Sequence, residues 1–327
     1  MTHAIRIHQT GGPEVMRWEE VDLPAPAAGE ATVRHEAVGL NFIDIYHRAG
    51  IYPVPLPSGI GMEGAGVVTA VGSGVTDLAV GDRVAYASGP LEPYGAYAEA
   101  RNTPADRLVK LPDGIDFKTA AAMMLQGMTA QYLLRRTYRV QAGDTVLIHA
   151  AAGGVGLIVC QWAKALGATV IGTVGSDDKA ALARAHGCDH PIVYTRENFA
   201  ERVRQITGGA GVPVVYDSIG KDTFFASLDC LRPLGLMVSF GNASGTVPPF
   251  DLGELTRRGS LFLTRPSLFG YTAQRADLLA TAADLFDVVT SGKVRVEVNQ
   301  TYALKDAARA QTDLAARRTT GSTVMLP

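Results

Sequence analysis

The sequence predicts an α/β protein with two parts, a β-rich, barrel-like domain and a doubly wound parallel sheet. Three observations carry this expectation. Short apolar segments separated by Gly/Pro clusters fill the first third of the 327-residue chain, as short strands joined by tight turns would. From about Asp116 the period changes, and strands alternate with helices as crossover connections require. Within that alternation the apolar run Thr145-Val146-Leu147-Ile148 enters a glycine-rich turn, Ala150-Ala151-Ala152-Gly153-Gly154-Val155-Gly156.

In order, strands are expected at residues 4–8, 31–40, 65–71 and 83–86, with a helical turn at 42–48. Gly11-Gly12-Pro13, Pro24-Ala25-Pro26, the Pro53–Pro57 run and Gly72-Ser73-Gly74 punctuate them. An Ala/Met/Leu-rich helical stretch covers 117–134. Strands at 144–150, 169–174, 191–194, 213–217 and 236–240 then alternate with helices at 155–166, 177–186, 199–207 and 223–231, and a strand at 260–264 closes the sheet. The tail breaks this rhythm, with an amphipathic helix at 274–290, a strand at 294–300, a helix at 305–317 and a strand at 322–326. It is expected to fold back onto the first domain, making the central sheet an insertion.

Composition bounds the function. Thirty basic and 32 acidic residues leave a net charge of −2, which argues against a dedicated nucleic-acid or anionic-membrane surface. Cys160, Cys188 and Cys230 form no C-x-x-C pair, so no disulfide framework is suggested and a reducing cytoplasm is expected. The start of the chain has no apolar h-region, and no later run is long enough for a membrane span.

The turn carries the chemistry. Ala151-x-Gly153-x-x-Gly156 is the dinucleotide fingerprint with Ala for the first Gly. Bare N–H groups of Gly153, Gly154, Val155 and Gly156 at a helix start can hold a pyrophosphate; the competing reading is a tight turn without a ligand. NAD-binding versions carry an acid at the tip of the second strand. Here that strand runs through Gly172 and Thr173 to Ser176 with no carboxylate at its tip, followed by Lys179, with Tyr194 ending the third strand. A cation and two hydroxyls suit a 2′-phosphate. Gly172 and Thr173 are counted with this cofactor set, and NADPH is favoured over NADH. Asp177 and Asp178 complicate the corner and read as helix-start charges; the competing reading of Lys179 is a solvated surface lysine.

The runs Gly39-Leu40-Asn41-Phe42-Ile43-Asp44, His149 to Gly156, Val215-Tyr216-Asp217-Ser218-Ile219-Gly220, Met237 to Gly245 and Leu263-Thr264-Arg265-Pro266-Ser267 together resemble the NADPH:quinone oxidoreductases. These form the zeta-crystallin-like branch of the zinc-free medium-chain dehydrogenase/reductase superfamily, and the similarity covers essentially the whole chain. The resemblance implies a GroES-like catalytic domain, residues 1–125 completed by 265–327, around a Rossmann domain at 126–264. It also implies NADPH as cofactor and a homodimer. By the same resemblance, Asn41 and Thr129 lie near the nicotinamide ribose, and Ser176, Lys179 and Tyr194 face the 2′-phosphate. Ser218 and Ile219 lie under the adenosine ribose. Phe240, Gly241, Asn242, Ser244 and Arg265 line the nicotinamide side, with Arg317 or Arg318 joining from the last helix.

Zinc members of that superfamily carry a Gly-His-Glu segment and cysteine ligands. This chain has Gly61-Met62-Glu63 and no cysteine in its first domain, so no metal is expected. Glu63 is read as a helix-start or hydrogen-bonding residue rather than a base. Without a Lewis acid an ordinary ketone is a poor acceptor, whereas a quinone or conjugated carbonyl delocalises the charge that hydride addition generates. Asn41, Tyr46 and Tyr52 are the candidates for holding the acceptor oxygen. Asn41 is the strongest, since an amide in the apolar 38–43 run requires a specific partner; half-buried packing competes for both tyrosines. The expected activity is NADPH-dependent quinone reduction. Alternatives are C=C reduction of an enone or alkenal, and, in another class, a non-catalytic NADPH-binding or single-stranded nucleic-acid-binding protein.

Overall fold

The computed structural model describes residues 1–87, 91 and 94–327. The chain divides into two compact units: Met1–Met128 with Thr272–Phe286 and Val296–Pro327, and Thr129–Tyr271 with Asp287–Arg295.

The first unit begins with β1 (Thr2–Ile7), β2 (Met16–Val21), β3 (Glu30–Leu40), β4 (Ser58–Gly59), β5 (Glu63–Val71), β6 (Arg83–Tyr86), β7 (Ala100–Pro104) and β8 (Val109–Lys110). β1 pairs antiparallel with β2 and β4, while β3 is the hub of a larger sheet, pairing antiparallel with β5 and β7. Buried Val33, Val38, Leu40, Ile60, Val68, Val84 and Tyr97 form its core. The β3–β5 register sets Gly39 opposite Glu63. A Cβ on Gly39 would lie 2.3 Å from Glu63 Oε2, so the glycine makes room for a buried carboxylate.

The second unit holds β9 (Thr145–Ile148), β10 (Thr169–Val174), β11 (His190–Val193), β12 (Val212–Asp217), β13 (Leu231–Ser239) and β14 (Phe262–Thr264). Their order is β11-β10-β9-β12-β13-β14, and every pairing is parallel. This is the doubly wound order, with the chain reversing its direction of travel between β9 and β12; ligands of such sheets sit at the carboxyl ends of the strands at that reversal. β12 is buried along its whole length, as a central parallel strand must be. Pro213 is tolerated there because the β12–β13 register shifts between Val212 and Val214, freeing the position from the regular ladder.

The tail supplies β15 (Val298–Ala303) and β16 (Ser322–Leu326). β16 pairs antiparallel with β3, so the end of the chain joins the first unit's sheet. The helix Arg275–Thr290 buries Leu278, Thr281, Ala282, Leu285 and Val288, a single stripe at helical spacing.

Three expectations need correction. The strand placed at 294–300 lies at Val298–Ala303, since the chain from Ser291 turns before extending. β13 begins at Leu231 rather than 236, running through Arg232, Pro233 and Leu234, which are exposed and resemble a turn in composition. β2, β4, β7 and β8 are not among the expected strands: the MRWEEV sequence of β2 carries charges and buries only Val21, β4 and β8 are two residues each, and β7 buries Arg101 and Thr103 rather than apolar side chains. Among the described residues no helix is long and apolar enough to cross a membrane.

Candidate functional site

The glycine-rich turn follows β9 directly. Ala150 takes a left-handed backbone (φ 54°), and its carbonyl accepts from Gly153 N–H at 2.9 Å, closing the turn before the helix Gly154–Ala165. A Cβ on Gly156 would stand 2.2 Å from Ala150 O, so only glycine lets the helix start this close to the strand. The cap, Gly153, offers no side chain, leaving the amides of Gly154, Val155 and Gly156 aimed out of the helix end without intrahelical partners. A pyrophosphate fits this cradle.

Beneath the turn lies a buried polar network. His149 Nδ1 meets Thr173 Oγ1 at 2.8 Å and its Nε2 meets Ser227 Oγ at 2.9 Å. Burial lowers the His149 pKa, against the opposing pull of Asp217. Asp217 accepts from Ile219 N–H (2.7 Å), Gly220 N–H (3.0 Å), Thr223 Oγ1 (2.7 Å) and Ser227 Oγ (3.1 Å). The end of β12 is thereby bound to the Ser218–Ile219 loop. Thr173 spends its hydroxyl on His149, and Gly172 makes room for Ala151 Cβ and Cys188 Sγ, each within 2.7 Å of where its own Cβ would be. Both residues are buried.

At the end of β10, Ser176 caps the helix Asp177–Ala185, its Oγ accepting from Lys179 N–H at 3.3 Å. Tyr194, 40% exposed, follows β11, and its hydroxyl lies 3.0 Å from where a Cβ on Gly175 would be. Ser176, Gly175 and Tyr194 therefore share one corner, with Lys179 in the first turn of the helix. Asp177 does not stand as a bare charge there: Arg196 grips both of its oxygens, at 2.5 and 2.6 Å.

The loops after β12 and β13 are tied together. Ser244 N–H and Oγ both reach Ile219 O, at 2.8 and 2.9 Å, and Ala243 N–H donates to Ser218 O. A Cβ on Gly241 would strike Ser218 O at 2.4 Å. Arg265 Nη1 donates to Ser239 O, Ser239 Oγ and Gly241 O, and Nη2 reaches the amide oxygen of Asn242 at 3.0 Å. Asn242, Ser244 and Arg265 thus brace the loop that presents Phe240 and Gly241.

In the first unit, Asn41 has the partners its setting demanded. Its Nδ2 donates to Glu63 Oε2 at 2.8 Å, and its Oδ1 accepts from Gln126 Nε2 at 3.0 Å. Gln126 Oε1 accepts in turn from Ser322 Oγ at 2.6 Å. Glu63 Oε1 accepts from Leu125 N–H at 2.8 Å, in the first turn of the helix Met124–Tyr132, so the carboxyl does serve a helix start. Burial pushes Glu63 up to about 8, although its hydrogen bonds from Asn41 and Leu125 pull it down. Asp44 is likewise pushed up to about 7 by burial while accepting from Asn41 N–H and the Tyr97 hydroxyl, both at 2.9 Å.

Tyr46 is buried and packs its ring edge-on against Tyr52 (5.3 Å) and beside Phe42 (6.3 Å). Asn41 faces Glu63 and Gln126 instead, so one helix turn does not gather all three. Tyr46 is 6% exposed among these rings, and Tyr52 is half-buried. Thr129 is buried and hydrogen-bonds Tyr132. Arg317 is exposed with φ 59°, just past the helix Ala307–Ala315, while Arg318 is paired with Asp313 at 3.1 Å. Sequence reasoning missed Gln126, Ser322 and Arg196. Asp217 stood within a recognised motif, and its carboxylate beside small polar residues was the available signal.

The donor set does not fit a catalytic zinc. Cys160, Cys188 and Cys230 all lie in the second unit, Met62 precedes Glu63, and among the described residues no three His, Cys, Asp or Glu side chains gather as a metal site requires.

Comparison with known proteins is consistent along the chain. Residues 27–113 match the family described as "Alcohol dehydrogenase GroES-like domain", and residues 154–287 the one described as "Zinc-binding dehydrogenase". The chain is 57% identical to the "Quinone oxidoreductase" of Pseudomonas aeruginosa, covering 100% of both. It is 50% identical to the "2-haloacrylate reductase" of Burkholderia sp, covering 100% of this chain and 99% of that one. The crystal structure of Escherichia coli quinone oxidoreductase complexed with NADPH superposes with a TM-score of 0.97 at 50% identity, covering 99% of this chain and 100% of that one.

Proposed function

The chain belongs to the zinc-free quinone oxidoreductase family of medium-chain dehydrogenases/reductases, and on that premise we propose that it oxidises NADPH and reduces a quinone. The observation that carries the reading is the cradle at residues 153–156, where glycine at 156 lets the helix start tight against the turn after β9 and leaves bare amides at its end for a pyrophosphate. When bound, NADPH supplies a hydride to the acceptor; with a proton from water, quinone becomes hydroquinone.

This chain's residues do the rest by orientation. The helix-end amides grip the pyrophosphate. Ser176, Lys179 and Tyr194 take the 2′-phosphate, and Ser218 and Ile219, held by Asp217, support the adenosine ribose. Phe240 and Gly241, braced by Arg265, form the wall beside the nicotinamide. Asn41 and Thr129 face its ribose, and Tyr52 is the tyrosine left to meet the acceptor. Arg317 is assigned the remaining contact, since Arg318 is drawn to Asp313. A flat, conjugated acceptor asks for little beyond orientation and exclusion of water.

A second reading, reduction of the C=C bond of a conjugated carbonyl, is favoured by the likeness to the 2-haloacrylate reductase. Product analysis after NADPH turnover separates the two. Hydroquinone from quinones supports the first; turnover confined to enones, with saturated products, replaces it by the second.

We also assign a homodimer and a cytoplasmic setting. β14 is an edge strand of the six-stranded sheet and exposes Phe262 (61%) and Leu263 (37%), an edge that a second copy would cover. The three cysteines are buried and unpaired, which suits a reducing compartment. The near-zero net charge gives no support to nucleic-acid binding.

A further inference from the structure

We propose that Arg196 is a specificity-determining residue for the cofactor's 2′-phosphate, and that it acts through Asp177 by cancelling a carboxylate that would otherwise repel the phosphate. The inference rests on the assignment of Ser176, Lys179 and Tyr194 to that phosphate. Dehydrogenases that select NAD place a carboxylate at this corner, where it grips the free ribose hydroxyl. The same charge repels a 2′-phosphate. This chain keeps an acid one residue beyond the Ser176 cap, yet covers it.

The cover is built by the fold. Residues 194–196 run alongside the end of β10. Tyr194 N–H donates to Val174 O at 3.1 Å, Thr195 Oγ1 to Gly175 O at 3.4 Å, and Arg196 N–H to Val193 O at 3.1 Å. Arg196 is thereby carried to Asp177, whose two oxygens receive its two terminal nitrogens side by side. A guanidinium fork matches a carboxylate in this bidentate way and lysine cannot. Both side chains are largely exposed, 57% for Arg196 and 72% for Asp177, so the pair contributes little to folding. Its consequence is local: the dianionic phosphate meets the Lys179 ammonium with the Asp177 charge neutralised.

The test is a double-mutant cycle read as dissociation constants for NADPH and NADH at low ionic strength. Arg196→Gln is expected to weaken NADPH roughly three- to tenfold, to leave NADH nearly unchanged, and to leave the thermal midpoint where it was. Asp177→Asn alone should hold NADPH as well as the wild type or better. In the Asp177→Asn background, Arg196→Gln should then have almost no further effect. An equal change for both cofactors, or none, overturns the proposal. So does a penalty that persists undiminished with Asp177 removed, which would mean that Arg196 touches the phosphate itself. Lys179→Ala separates the two levels. If it selectively weakens NADPH while Arg196→Gln does not, this inference alone fails; if neither variant is selective, the assignment of the corner fails with it.

Discussion

Replacing Glu63 by Gln probes the buried chain that holds Asn41. Glu63 titrates near 8 where an ordinary glutamate titrates at 4.5, because burial penalises its charged form. A folded-state value above the unfolded one gives stability that is complete below pH 4.5 and is lost as the pH rises to about 8, since the native state holds a proton the unfolded chain has released. Between pH 5 and pH 8.5 that loss is about 4 kcal/mol. In Glu63→Gln the group is gone, so the stability difference between wild type and variant should shift by that amount across the interval, in the variant's favour at high pH. Asp44, raised in the same direction, stays in both proteins and leaves each a residual slope.

The glutamine also imposes a constraint. To keep an acceptor for Leu125 N–H it must turn its NH2 toward Asn41, whose amide then reverses, followed by that of Gln126. The chain can absorb this because the Ser322 hydroxyl can accept as well as donate, keeping Ala122 O as its own acceptor at 3.0 Å. The variant is therefore expected to fold. Urea titrations of both proteins at pH 5 and 8.5 read the difference, and a difference that stays constant with pH refutes the reasoning.

Gly156→Ala should cost about 1–3 kcal/mol through the clash with Ala150 O and abolish the rise in melting temperature that NADPH confers on the wild type, both read by thermal unfolding. Phe262→Lys with Leu263→Lys should convert a dimer into single 34.5 kDa chains by light scattering; an unchanged dimer would place the interface elsewhere.

The strand–turn–helix at 145–165 was legible because everything that makes it is local: an apolar run, glycines at fixed offsets and a helical period. Asn41 shows where legibility stops. Its need for a partner could be read from its apolar neighbours, but Glu63 and Gln126 lie 22 and 85 residues away, and only the β3–β5 register and the helix at 124–132 bring them in. The Asp177 puzzle has the same cause, for its resolution arrives from 19 residues on, across the β10–β11 pairing. Thr173 shows a simpler limit: adjacent residues on a strand face opposite sides, and its hydroxyl meets His149, 24 residues away in the chain. The charged β2 and the Arg232-Pro233 start of β13 escaped because edge and bulged strands lack an apolar pattern.

Reduction by NADPH without a metal is the claim on which the rest depends. Its direct measurement is NADPH consumption at 340 nm with a panel of quinones, before and after exhaustive chelation. Quinone-dependent oxidation at the same rate is expected in both conditions. No oxidation with any quinone, or activity lost on chelation and restored by zinc, would contradict it.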